Sequence, residues 1–292
     1  MTKAAKKNSG AVVAVLNMKG GVGKTTISAH VFRHLYVHLQ RSTVLVDFDP
    51  QFNLTQTIVA QNIYEKLKAN KKTILSVMED NSTPSIFKIS DKLGPPPKFE
   101  DVSVIIRNLT KKPEINLSLI PGDFDMVKYS LINDVKVLDP VKKRFLLFIE
   151  KLSQEKDVVC IDCNPSSSFM TLCALQVATH VIVPVRPDRY SLLGLKMLDQ
   201  FISEIPTIAK KPKLIIMLNG IKSSGYDPSV ENSLRSDPRF GPLTMAASLH
   251  VSKLLEASSG YTGFATDRKQ NWRVTPQITA IVDELGKAMG IL

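Results

Sequence analysis

Cysteine is scarce in this chain, with three among 292 residues. So few, and an odd number, exclude a disulfide framework and point to a reducing compartment. The opening MTKAAKKNSG is short and polar and has no apolar run of the kind a secretory leader needs. Nowhere do about 18 apolar residues follow one another, so no segment reads as a membrane-crossing helix. There is no internal repeat. The five histidines lack zinc-type spacing. Three of them, His30, His34 and His38, fall four residues apart on one helical stripe, which suits either a metal stripe or, the preferred alternative, a partly exposed helix face. Cys160 and Cys163 form a CxxC, but residues three apart in a strand point to opposite faces, which argues against a shared metal or a redox pair.

Composition is ordinary for a globular protein, 43% apolar and 22% charged, and the length suffices for a core that needs no cross-links. Lys and Arg number 38 against 27 Asp and Glu, a net charge of +11. Such an excess serves solubility, or it marks an anionic polymer as partner.

Short apolar runs alternate with helical patterns. Strands are expected at 11–17, 43–47, 117–120, 158–162, 180–185 and 214–218, and helices at 24–39, 141–152, 167–178, 192–205 and 275–289. Doubly buried strands in this rhythm predict an α/β fold, a doubly wound and mostly parallel sheet with helices on both faces. The whole chain, 1–292, reads as one domain. Residues 82–113 break the rhythm with six Pro and Gly, and are expected to be an irregular proline-rich excursion. The last helix carries Ile278, Ile281, Val282, Leu285 and Met289 on one face and is expected to pack on the sheet.

The strongest motif is Lys19-Gly20-Gly21-Val22-Gly23-Lys24-Thr25-Thr26, between a predicted strand and a predicted helix. Glycines let successive backbone N–H groups curl around phosphate oxygens, and the helix adds its positive N-terminal pole. Lys24 would meet the β- and γ-phosphates, and the Thr25 hydroxyl would meet Mg²⁺. Met18 stands where an ordinary P-loop has its first glycine, and Lys19 adds a second lysine. VLVDFDPQFNLT (44–55) ends a strand in Asp47 and places Asp49 in the loop beyond it. Both could bear on a γ-phosphate, or could simply cap the next helix. VVCIDCNPSSS (158–168) ends a strand in Asp162, the Walker B arrangement, suited to hold Mg²⁺.

KGGVGKTT resembles the deviant Walker A box of the ParA, MinD and nitrogenase iron-protein superfamily, and DFDPQFN resembles the second motif of ParA proteins. The likeness to ParA and Soj runs through most of the chain, including Ile115–Ile132, Val181–Leu195 and His250–Phe264, and is poor over the excursion. Cys163-Asn164-Pro165 departs from the Thr-Pro-Pro usual in relatives and leaves the local switch loop in doubt. The resemblance implies an ATPase that uses ATP and Mg²⁺, dimerises on ATP, binds DNA non-specifically and is stimulated by a centromere-binding or cargo adaptor protein. Lys19 would cross the dimer interface to the partner's nucleotide, or contact phosphate within its own subunit. Asp49 would orient the attacking water, and Asp47 would lie near the metal shell. Asn219 would contact adenine, or cap a loop. Lys253, and with less support Arg268, Lys269 and Arg273, would contact DNA, or be solvated surface charges. About ten residues precede the first strand, so the N-terminal helix-turn-helix of larger relatives is expected to be missing. A cytoplasmic, nucleoid-associated protein without a membrane partner follows. The alternatives are a MinD-like membrane-positioning ATPase, for which IVDELGKAMGIL (281–292) is too acidic, and a small-molecule synthase of the same superfamily.

Overall fold

The computed structural model describes residues 9–80, 85–90, 93–166, 168–208, 210–222, 224–256 and 263–292. Its core is an eight-stranded sheet: β1 (Ala11–Val15), β2 (Thr43–Phe48), β3 (Val104–Leu109), β4 (Lys112–Ile120), β5 (Val158–Cys163), β6 (His180–Val185), β7 (Lys213–Ile221) and β8 (Leu249–His250). They lie in the order β3-β4-β2-β5-β1-β6-β7-β8. Every neighbouring pair is parallel except β3–β4.

Helices fill the connections: α1 (Lys24–His38), α2 (Asn53–Ile58), α3 (Gln61–Ala69), α4 (Ile74–Met78), α5 (Phe99–Val102), α6 (Lys128–Leu131), α7 (Val135–Glu155), α8 (Phe169–Val177), α9 (Arg189–Glu204), α10 (Ser229–Ser236) and α11 (Thr275–Met289). Side chains of β1 alternate between two cores. Val12, Ala14 and Leu16 join one with α4, α7, α8 and α9, while Ala11, Val13 and Val15 join the other with α1 and α11. This two-sided burial is what continuous Val-rich strands require. Among the described residues no helix is long and apolar enough to cross a membrane.

Four expectations need revision. First, the stretch 82–113 is not irregular throughout. Its second half folds as α5, β3 and the start of β4, an antiparallel hairpin on the sheet edge. Pro113 is tolerated because it sits beside the hairpin turn, at the solvated end of β4. Residues 82–84 and 91–92 lie outside the described residues, as do 257–262 of the C-terminal ParA-like segment.

Second, the excursion is stapled to the core. Arg144 of α7 donates to the carbonyls of Ser76, Val77, Gly94 and Pro95. Buried Glu79 pairs with Lys128 and accepts hydrogen bonds from the Tyr129 hydroxyl and the Ser90 N–H. Third, α7 starts six residues before the expected boundary. Asp134 caps it by accepting from the Lys136 N–H, and Pro140 is carried inside the helix.

Fourth, His30 and His34 are buried, not on an exposed face. Helix α1 packs on α11 along this stripe. The His30 Nδ1 accepts from the Ala265 N–H, His34 bonds Thr279, and His38, at the rim, bonds Asp283. Burial pushes the pKa of both buried rings down to about 4. The three cysteines are free and buried, with Cys160 and Cys163 in opposite cores.

Candidate functional site

The site forms at the carboxyl ends of β1, β2 and β5, where nucleotides bind in such sheets. The loop after β1 turns through two left-handed glycines, Gly21 (φ 72°) and Gly23 (φ 92°). Where a Cβ would project from Gly20 or Gly21 there is nothing within 4 Å, so the loop's outer face is open. Gly23 is forced for another reason: a Cβ there would lie 2.1 Å from the Asn219 amide nitrogen. Asn219 is 7% exposed and donates from that nitrogen to the Val22 carbonyl at 2.7 Å, so the geometry found is that of a loop brace. Asn17 was not singled out from the sequence. Fully buried, it donates to the Pro184 carbonyl and accepts from the Lys19 N–H. Gly194 of α9 leaves room for it, since a Cβ would meet Asn17 Oδ1 at 2.6 Å.

Lys24 opens α1 and is 8% exposed, its Nζ 3.5 Å from the Lys19 carbonyl. Burial lowers its pKa, opposed mainly by Asp162. Thr25 and Ser28, one helical turn apart, both donate to Asp162, each at 2.8 Å. Ser28 escaped the sequence reading although its i+3 spacing from Thr25 was visible. Thr26 sits in the same first turn of the helix.

Asp47 pairs in register with Asp162 across β2 and β5. Its Oδ2 accepts from the Thr55 N–H at 2.8 Å and the Thr55 hydroxyl at 2.6 Å, while its Oδ1 is buried without a partner. Burial, then the charge of Asp162, pushes its pKa up to about 8. Burial likewise pushes Asp162 up to about 6 against the pull of Ser28, Thr25 and Lys24. Asp49 is 9% exposed and accepts from the Gln51 N–H at 2.9 Å and the Asn164 amide at 3.4 Å. Asn164 therefore ties the Asp162 loop to Asp49.

Asp162 and Asp49 thus share one buried lysine, and one oxygen of the neighbouring Asp47 lacks a partner. This negative excess fits a divalent cation. Among the described residues no three His, Cys, Asp or Glu converge as a protein cage would need. The donor set therefore suits a cation shared with phosphate and water, the habit of Mg²⁺.

Lys19 does not point into its own loop. Its Nζ bonds Asp188 Oδ1 at 2.8 Å and lies 5.5 Å from the Tyr190 ring centre. Asp188 caps α9 through the Ser191 N–H. Burial raises the Asp188 pKa, but the bonds from Lys19 and Ser191 outweigh it and hold the carboxyl below its ordinary value. Beside this pair, Tyr190, Leu193 and Met197 form an exposed apolar stripe on α9, at 75%, 56% and 54% exposure.

The sequence-predicted DNA residues are divided. Lys253, Lys269 and Arg273 are exposed, and Lys253 and Arg273 line one cleft with His250, Gln270 and Gln277. Arg268 turns inward and donates to the carbonyls of Leu254 and Glu256.

A model of the AAA domain family matches residues 10–216. The chain belongs to that family, as a P-loop ATPase of the ParA and MinD type. A relative in Mycobacterium tuberculosis of unassigned role is 30% identical over 245 residues, covering 80% of this chain and 64% of that protein. The chain thus spans under two thirds of that relative's length. The sporulation initiation inhibitor protein Soj of Bacillus subtilis is 26% identical over 215 residues, covering 73% of this chain and 71% of Soj. Among solved structures, pNOB8 ParA bound to nonspecific DNA superposes with a TM-score of 0.67 at 16% identity, over 95% of this chain and 98% of that one. That likeness speaks for the shared P-loop fold.

Proposed function

We propose that this ParA-type ATPase is a switch that joins two copies face to face on ATP, grips DNA without reading its sequence, and lets go when a cargo-bound partner protein stimulates hydrolysis. The observation that carries the proposal is Lys19. It stands at the mouth of the phosphate loop, turned to Asp188, next to the exposed Tyr190-Leu193-Met197 stripe. A second copy docked on that stripe would cover its apolar surface and receive Lys19 at its own nucleotide.

In this reading Gly20, Gly21, Val22, Gly23 and Thr26 cradle the phosphates with backbone groups, and Lys24 offsets their charge. Thr25 and Asp162 hold Mg²⁺ once Thr25 gives up its present bond to Asp162, with Asp47 close behind. Mg²⁺, when bound, supplies neutralisation of the β- and γ-phosphate oxygens. Asp49 positions the attacking water, and Asn164 keeps Asp49 in place. Asn219 fixes the loop's shape beneath the nucleotide.

Lys253, Lys269 and Arg273 are the DNA contacts, and Arg268 braces the segment that carries Lys253. The charge of +11 supports an anionic partner. A membrane-seeking role for α11 is disfavoured because its apolar residues Ile278, Ile281, Val282 and Leu285 are spent on the core.

The test is binding to a random-sequence duplex with ATP, with ADP and without nucleotide, at two salt concentrations. Six to ten phosphate contacts predict a loss of roughly 10³–10⁵ in affinity between about 50 and 200 mM salt. Tight binding in ATP alone is the expected result. Equal or absent binding in all three states overturns the DNA half of the proposal.

A further inference from the structure

The chain contains a single tryptophan, Trp272, and it is 67% exposed. An indole is among the largest apolar surfaces a side chain offers, so leaving one in water needs a reason. Slack backbone is not that reason. Trp272 sits at the centre of a short 3-10 turn, Asn271–Arg273, entered through Gln270 at φ 64°. The turn is closed by bonds from Arg273 N–H to the Gln270 carbonyl and from Val274 N–H to the Asn271 carbonyl. The Asn271 amide ties it back to the Thr266 carbonyl, and Val274, 1% exposed, anchors its end in the core. The ring is therefore held outward by an ordered support.

The turn that carries it is cationic. Residues 268–273 hold Arg268, Lys269 and Arg273 and no acid. Helix α11 begins directly afterwards with no acidic residue in its first turn, leaving its positive pole uncompensated. Two acids of neighbouring elements have partners: Asp267 pairs with Arg33 and Arg107, and Asp283, which lines one cleft with Trp272, bonds His38. The Arg273 guanidinium lies 5.1 Å from the Trp272 ring centre. A ring with the Arg273 cation against it, the same Arg273 lining a cleft with Lys253, matches a nucleobase with its attached phosphates.

We propose that Trp272 takes a nucleobase against its ring, adding a stacking contact to the phosphate contacts of Lys253, Lys269 and Arg273. The proposal rests on the DNA-binding reading and extends it. Phosphate contacts release counterions and weaken with salt, whereas a stacked base does not depend on salt in that way. A residual affinity that survives high salt is the expected consequence. The base comes either from a single strand or from a duplex opened by insertion of the ring.

Because Trp272 is the only tryptophan, its emission reports on this one position. The experiment titrates the full chain, in ATP, with a labelled mixed-sequence single strand and with the same sequence as a duplex closed by hairpins at both ends. Label anisotropy reads occupancy, and tryptophan emission reads stacking. Strong quenching that tracks occupancy is expected. Quenching by the single strand alone assigns the site to unpaired bases, and quenching by the closed duplex as well assigns it to insertion.

Trp272→Ala should weaken binding of the quenching DNA about tenfold with an unchanged salt slope, and Trp272→Phe should recover most of the loss. DNA bound with undiminished emission, or by Trp272→Ala with wild-type affinity, overturns this proposal and leaves the DNA reading standing. Quenching by ATP before any DNA is added also overturns it, since the ring would then lie in a protein interface. If neither DNA binds in any nucleotide state, both readings fall.

Discussion

The phosphate-loop end and the basic surface around Lys253 are built on different principles. At the loop, five segments lock together: Asn17 to Pro184, Lys19 to Asp188, Thr25 and Ser28 to Asp162, Thr55 to Asp47, Asn164 to Asp49 and Asn219 to Val22. Most of these groups are buried. At the basic surface, Lys253, Lys269 and Arg273 stand on exposed turns, each carrying charge and little else. Chemistry at a reacting phosphate needs position, whereas holding a uniform polyanion needs only summed charge. Single substitutions should therefore be severe at the first region and graded at the second.

The largest contrast comes from Lys19. Lys19→Gln is expected to lower ATP turnover by roughly 10³-fold or more, as loss of an arginine finger does, while ATP affinity changes far less. Steady-state hydrolysis beside nucleotide titration checks it. A loss of affinity as large as the loss of rate would make Lys19 an ordinary phosphate contact.

Next in size is a position remote from both regions. Arg144→Met removes the donor to the carbonyls of Ser76, Val77, Gly94 and Pro95 and should destabilise the fold by about 3 kcal/mol, with early proteolysis within 93–97. Urea midpoints and limited digestion read this. An unchanged midpoint would mean that the excursion is held by other means.

Acid should act where α1 packs on the turn at Ala265. The folded pKa of His30, about 4, lies below its ordinary 6.5 because of burial and then the Arg268 charge, so the native state binds fewer protons than the unfolded state. The stability linked to His30 is complete above about pH 6.5 and is lost as pH falls toward 4, amounting to at most about 3 kcal/mol. His30→Gln should flatten the fall in urea midpoint between about pH 7 and pH 5. An equally steep fall in the variant would place the acid sensitivity elsewhere.

The smallest effect is expected at the basic surface. Lys253→Ala should reduce the salt slope of DNA binding by about one and leave hydrolysis unchanged.

How much of this was legible follows the same division. The loop 19–26, the strand-end Asp47 and Asp162, and the central strands could be read because their chemistry needs neighbouring residues at fixed spacing. Ser28, Asn17 and Asn164 were missed because their partners lie far along the chain, and nothing local in a lone Ser or Asn announces a bond to Asp162, Pro184 or Asp49. The β3–β4 hairpin was hidden by prolines and by an edge strand, VIIRNL, with exposed Ile105 and Arg107. His30 and His34 looked like a surface stripe because period alone cannot tell which face another helix will cover. Helix α7 was shortened at Pro140, since a proline's cost in a helix is visible and the cap at Asp134 that offsets it is less so.

The central claim is that the site at the carboxyl ends of β1, β2 and β5 uses ATP to join two copies of the chain. Sedimentation of an Asp49→Ala variant, which should bind ATP and Mg²⁺ without hydrolysing it, tests this most directly. The account predicts a dimer in ATP, a monomer in ADP, and a monomer in ATP once Lys19 is also replaced by Gln. A monomer in every state, or a dimer indifferent to nucleotide and to Lys19, would contradict it.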